Sequence, residues 1–264
     1  MSHQTLKVAL VQSLIHWQDV AANIAHFREK VLSIQGADLI VLPETFTTGF
    51  SMQAHPFAQR EDSQVFEEIE YWVKYTSAAI VGSLFVESNG LFYNRLFFIT
   101  PEGERFFYNK RHLFSMAKED QHYERGSSKP VFRFKGWNIC PMVCYDLRFP
   151  VWCRNQLQAD NSLSYDLILF VANWPDRRIH SWDVLLKARA IENLAYVVAT
   201  NRVGIDGNQI PYTGHSAVYD FLGQALAYSE ADEILRAELS KTALQDHRTS
   251  FPAHRDADSF TLTI

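Results

Sequence analysis

Hydrophobic positions along this chain recur with two periods. Residues 6–12 read as a strand and 38–43 as a second, short and continuously apolar enough for burial on both faces. Residues 20–35 carry Ile24, Phe27, Val31, Leu32 and Ile34, and residues 64–77 carry Val65, Phe66, Ile69, Trp72 and Val73. A recurrence every three or four positions predicts an amphipathic helix in each. Strands follow at 79–87, 91–100 and 103–108, separated by the turn signals Asn89-Gly90 and Pro101-Glu102-Gly103. Further strands are predicted at 137–144, 166–172 and 195–202, with helices at 150–158 and 181–193. Hairpin strands at 216–219, 225–228 and 233–238 come last. Strands alternating with helices imply an α/β layer structure, and the hairpins make its sheets mixed.

No Pro/Gly/Ser-rich linker, repeat or low-complexity tract interrupts this pattern, so residues 1–264 are expected to form one domain. The hydrophobic fraction of 47% and nineteen phenylalanines supply a sizeable core. The first residues run into a strand without the charged and apolar regions of a signal peptide. No stretch approaches the roughly 18 apolar residues of a membrane span. Three cysteines without an export signal point to free thiols in a reducing cytoplasm. A net charge of −5 without a basic patch argues against nucleic acid as a partner.

Candidate chemistry sits where apolar runs end. Cys144 lies in Ile139-Cys-Pro-Met-Val-Cys-Tyr-Asp-Leu-Arg-Phe-Pro150, between a strand and a helix start at which Pro150 fits the first turn. A thiol at such an elbow is held rigidly, and the N–H of Tyr145 is placed to meet an oxyanion, as in the serine elbow of α/β-hydrolases. A cysteine beside Val143 is otherwise a small packing residue. Glu44 ends the run Ala37-Asp-Leu-Ile-Val-Leu-Pro-Glu44, and Lys110 sits among aromatics in Arg105-Phe-Phe-Tyr-Asn-Lys-Arg-His-Leu-Phe114. Unpaired charges among bulky apolar groups are costly, so Glu44 and Lys110 are expected to pair.

Pro43-Glu44, then Tyr108-Asn-Lys110-Arg-His112-Leu-Phe114, then Cys144-Tyr-Asp146-Leu-Arg148-Phe-Pro150, at intervals of 66 and 34 residues, resemble the three signatures of the nitrilase (carbon–nitrogen hydrolase) superfamily. The resemblance extends through Ala188-Arg-Ala-Ile-Glu-Asn193. Val171-Ala-Asn-Trp-Pro175 and Trp182 look like its omega-amidase branch, which hydrolyses the terminal amide of 2-oxo acids such as 2-oxoglutaramate and 2-oxosuccinamate. It implies an α-β-β-α sandwich of two mixed sheets flanked by helices. It also implies a homodimer, with Phe149, Val151, Trp152 and the helix 181–193 as the contact surface.

The resemblance implies a Glu44-Lys110-Cys144 triad that cleaves a small-molecule amide through a thioester, without metal or cofactor. Glu44 is the base and proton shuttle, Lys110 stabilises the oxyanion and favours the thiolate, and Glu119 is the supporting carboxylate, with Asp120 and Glu124 close enough to compete for that position. Arg148 is expected to grip the substrate carboxylate, with Tyr145 and Trp174 as walls and Arg177 and Arg178 as further cations. The competing reading of Arg148 is a structural ion pair with Asp146 or Glu192. Nitrilase, N-carbamoyl amino-acid hydrolase and aliphatic amidase activities use the same triad, and a non-catalytic binding subunit is the competing class. A papain-like hydrolase lacks its cysteine surroundings here. Cys140 and Cys144, about 13 Å apart at strand rise, and scattered histidines make no metal site. Cys140 and Cys153 are expected to pack.

Overall fold

The computed structural model describes residues 4–262. β1 (Thr5–Gln12), β2 (Leu39–Val41) and β3 (Ala79–Ser88) run parallel, and β4 (Leu91–Ile99) and β5 (Arg105–Asn109) add antiparallel strands. β6 (Phe132–Phe134), β7 (Trp137–Val143), β8 (Leu167–Val171) and β9 (Tyr196–Thr200) belong to a second sheet, in which β7, β8 and β9 are parallel. A separate hairpin, β10 (Val203–Ile205) and β11 (Pro211–Thr213), precedes β12 (Ser216–Tyr219), β13 (Ala225–Ser229) and β14 (Glu233–Ser240). The two six-stranded sheets have the orders β14-β1-β2-β3-β4-β5 and β13-β12-β9-β8-β7-β6.

Alternation along β1 sets the layers. Leu6, Val8 and Leu10 enter one core with Ile139, Met142 and Leu169 of the second sheet, whereas Ala9 and Val11 enter another with Phe27, Val31, Ile69 and Trp72. The latter belong to α1 (Val20–Leu32) and α3 (Gln64–Thr76), which cover the outer face of the first sheet. α5 (Ile179–Asn193) packs Trp182, Leu186 and Ala190 onto the second sheet. The expected α-β-β-α sandwich is therefore present. Short helices α2 (Ala54–Phe57) and α4 (Pro150–Cys153) lie in connections, and α6 (Lys241–Ser250) follows β14. No helix among the described residues is long and apolar enough to cross a membrane.

Two expectations change, and one helix is added. The helix expected over 150–158 ends at Cys153, because Asn155 is held by buried bonds: its N–H donates to Asn193 Oδ1 at 2.8 Å and its amide to Tyr165 O at 2.8 Å. Trp152 is buried, and its indole N–H donates to the Tyr108 hydroxyl. Phe149 stacks on His112 with centroids 3.7 Å apart. Trp152 therefore offers no contact surface, and Phe149 is engaged within its own chain. α6 was not foreseen, since only Leu244 of its ten residues is buried and its signal is a serine cap, Ser240 Oγ accepting from Ala243 N.

Candidate active site

The carboxyl ends of the parallel strands of both sheets open onto one crevice, the usual place for a site in such sheets. β2 leads into Glu44, β7 into Cys144, β8 into Asn173, and β5, on the edge of the first sheet, into Lys110. Two backbone positions are forced into the left-handed region to make this convergence, Thr45 (φ 42°) and Cys144 (φ 44°). Both are non-glycine residues, a strain that structures tolerate mainly where the neighbours over-determine the conformation. At Thr45 the backbone N–H donates to Ser83 Oγ at 2.9 Å. At Cys144 the elbow is tied by Asp146, whose Oδ2 accepts from Val143 N at 3.0 Å and from the Tyr108 hydroxyl at 2.7 Å. Its Oδ1 accepts the backbone N–H of His112 at 3.0 Å and contacts His112 Nδ1 at 2.7 Å.

Glu44, Lys110 and Glu119 are fully buried and in contact. Lys110 Nζ donates to Glu44 Oε1 at 3.0 Å and to both oxygens of Glu119 at 3.1 and 3.0 Å. Asn94 Nδ2 bridges the two carboxylates, at 2.8 Å from Glu44 Oε1 and 3.3 Å from Glu119 Oε1. Glu44 Oε2 accepts Asn173 N at 2.7 Å, while Asn173 Nδ2 donates to Glu44 O at 2.7 Å. Phe114 N donates to Glu119 Oε2 at 2.6 Å. Asp120 and Glu124, by contrast, are exposed.

The charges of this cluster depend on one another. Burial works to lower the pKa of Lys110, but the carboxylates of Glu119 and then Glu44 outweigh it and hold the ammonium well above the ordinary lysine range. Burial raises the pKa of Glu119, Lys110 opposes the rise, and Glu44 adds to it. Cys144 is pushed well up by burial and then by the charge of Glu44, with Lys110 pulling the other way. The lysine thus favours the thiolate, as expected, but does not prevail.

Cys144, Lys110 and Glu44 lie in a cavity of about 420 Å³. Tyr145, Arg148 and Trp174 line it as well. Tyr145 meets Phe114 and Phe149 edge-on, with centroids 5.0 and 5.1 Å apart. Trp174 is buried, its backbone N–H donating to Asn201 Oδ1 at 2.8 Å. Neither ion pair considered for Arg148 forms. Asp146 is committed at the elbow, and Glu192 pairs with Arg189 at 2.8 Å. The Arg148 guanidinium lies instead over the Trp174 ring, 4.9 Å from its centroid. The sequence reading names Asp146 only within the signature and as a competing partner of Arg148, and gives Asn94 and Asn173 no role. For Asn173 a signal existed, a polar amide directly after the buried strand β8; for Asn94, within an aromatic strand, none did.

The chain matches the Carbon-nitrogen hydrolase family over residues 7–248. It is 46% identical over 260 residues to the Omega-amidase YafV of Yersinia enterocolitica, covering 98% of this chain and 99% of that one. It is 32% identical over 227 residues to the 2-oxoglutaramate amidase of Bacillus subtilis, covering 83% and 85%. Its structure superposes, with a TM-score of 0.96 and 44% identity over 99% of this chain and 100% of the other, on XC1258 of Xanthomonas campestris, a CN-hydrolase superfamily protein solved with an arsenic adduct in its active site. With a family match across most of its length and a relative this similar over nearly all of it, the chain belongs to the carbon–nitrogen hydrolase family.

Proposed function

We propose that this protein is an omega-amidase, hydrolysing the terminal amide of small 2-oxo acid amides such as 2-oxoglutaramate to the 2-oxo dicarboxylate and ammonia. The observation that carries the reading is the buried Glu44–Lys110–Glu119 cluster beside Cys144, in a cavity that also presents arginines without an ion pair among the described residues. Similarity to an omega-amidase and a 2-oxoglutaramate amidase supports the substrate class.

An amide resists water because its carbonyl is a poor electrophile and its nitrogen a poor leaving group. A covalent route divides the barrier. Burial and the charge of Glu44 disfavour the Cys144 thiolate, so attack is served by a base, and Glu44 is the acceptor. As the carbon–sulfur bond forms, Glu44 takes the thiol proton, and Lys110 with the N–H of Tyr145 stabilises the oxyanion. Glu44 then gives that proton to nitrogen, the C–N bond breaks, and ammonia leaves a thioester. Water attacks the thioester with Glu44 as base, the C–S bond breaks, and the acid departs as the sulfur regains a proton. Glu119, bonded twice to Lys110, holds the ammonium in place through both halves. Arg148 receives the carboxylate remote from the reacting amide, and Tyr145 and Trp174 confine the carbon chain.

The protein is further proposed to work in the reducing cytoplasm, with Cys140, Cys144 and Cys153 free, and as a homodimer. Val184 and Ile191, about half exposed and seven positions apart on α5, support a second copy at that face. The test of function is ammonia release from 2-oxoglutaramate by wild type and Cys144→Ala. Release that vanishes in the variant supports the reading; a wild type that releases none removes it and directs attention to carbamoyl compounds and nitriles.

A further inference from the structure

The mouth of the cavity carries more positive charge than the gripping of one carboxylate by Arg148 requires. Arg148, Arg177 and Arg178 all line it, and none forms an ion pair among the described residues. The carboxylates on the same wall are committed elsewhere. Glu44 is spent on Lys110, Asn94 and Asn173. Asp206 Oδ1 accepts from Asn208 N at 2.8 Å and Ile210 N at 3.0 Å, and its Oδ2 from the Tyr212 hydroxyl at 3.1 Å.

Arg178 differs from its exposed neighbour Arg177. It is half-buried, its guanidinium lies over the Phe114 ring at 4.9 Å, and its carbonyl accepts from Trp174 Nε1 at 2.9 Å. Arg148 is held in the same way over Trp174. Two guanidiniums are therefore braced on aromatic faces, which leaves their N–H edges for a ligand. Burial, then the charge of Arg177, and more weakly that of Arg148, disfavour the charge on Arg178, with Cys144 acting the other way. An anion in the mouth would relieve that repulsion.

We propose that Arg178, acting with Arg148, makes this site select a 2-oxo acid amide over the corresponding amino-acid amide; the inference rests on the omega-amidase reading. A 2-oxo acid head presents a carboxylate and a keto oxygen, all acceptors. An amino-acid head replaces the keto oxygen with an ammonium, which is cationic and only donates. Guanidiniums also only donate, so the ammonium meets like charge and donors facing donors. A site built around fixed hydrogen-bonding groups discriminates strongly against a substrate that cannot complete them.

The test is kcat/KM for 2-oxoglutaramate, glutamine and glutaramate, the last carrying neither the oxo group nor the ammonium. Wild type, Arg178→Gln and Arg178→Lys are compared. In Arg178→Gln the value for 2-oxoglutaramate falls by about tenfold or more, chiefly through KM, and the preference over glutamine falls by a similar factor. Arg178→Lys restores part of that preference. A melting temperature equal to that of wild type shows that the fold is intact. An equal fall on all three amides, or a preference that does not move, overturns the inference while leaving the omega-amidase reading standing. A wild type inactive on 2-oxoglutaramate removes both. Wild type alone gives a second readout, because added salt screens the mouth and lowers the preference over glutamine; a salt-independent preference counts against the proposal.

Discussion

Lys110 and Glu44 lie 66 positions apart in the chain, yet the lysine Nζ is 3.0 Å from Glu44 Oε1 with neither side chain exposed. The same ammonium also serves Glu119, so two buried carboxylates share one buried cation. Removing it leaves like charges facing each other without a counter-ion. Lys110→Met is expected to lower stability by about 3–5 kcal/mol and to reduce ammonia release by at least about a hundredfold. Denaturant melts and steady-state assays check the two effects. A Lys110→Met protein as stable as wild type would contradict the account of the cluster.

Asp146 works behind the elbow rather than in the reaction. Its two oxygens take hydrogen bonds from Val143 N and the Tyr108 hydroxyl on one side and from the His112 backbone on the other. In Asp146→Asn an NH₂ group faces donors. Orphaning buried donors in this way costs about 2–3 kcal/mol, and the left-handed Cys144 loses its restraint. The expected outcome is a lower melting temperature together with a fall in kcat larger than the change in KM.

Gly207 fixes one wall of the cavity. A Cβ there would come within 2.1 Å of Trp17 Cδ1. Trp17 lines the cavity with Asp206, Asn208, Ile210 and Tyr212 of the β10–β11 hairpin. Gly207→Ala must therefore displace either the indole or the hairpin. KM for 2-oxoglutaramate should rise by several-fold while the rate of Cys144 alkylation stays at the wild-type value. A crystal structure of the variant would show which of the two elements moved.

Alkaline pH should destabilise the fold through its thiols. Burial pushes Cys140 up to about 12, against about 8.5 in an unfolded chain. The folded state keeps a proton that the unfolded state releases, so this stabilisation is complete below about pH 8.5 and is lost as pH rises toward 12. The slope reaches about 1.4 kcal/mol per pH unit for one thiol. Cys153 is raised in the same sense, again by burial. Melts across this range should show a shallower loss in Cys140→Ala than in wild type. Equal slopes would mean that Cys140 ionises as readily folded as unfolded.

Glu44, Lys110 and Cys144 were legible in the chain because each conflicts with its local surroundings: a charge or thiol where an apolar run stops. Glu119 came instead from the family resemblance, and Asp120 stands beside it with the same charge. One of the two is buried against Lys110 and the other is exposed, a difference set by a single turn of 3₁₀ helix at Glu119–Gln121. The hairpin from Val203 to Thr213 escaped notice because its strands are three residues long and only partly apolar. Asn94 escaped for a different reason. Its amide is informative only once Glu44 and Glu119 are known to flank it.

The sequence by itself determined the alternation of strands and helices, and its resemblance to a known family supplied the sandwich and the candidate reacting groups. Periodicity decides which face of an element is buried, and a charge at the end of a buried run demands a partner. Only the tertiary structure decided which partners meet. It brought the ends of β2, β5, β7 and β8 to one crevice, set Asn94 between two carboxylates, and laid Arg148 on the Trp174 ring. These outcomes depend on distances across two sheets between residues far apart in the chain, and no local pattern encodes such distances.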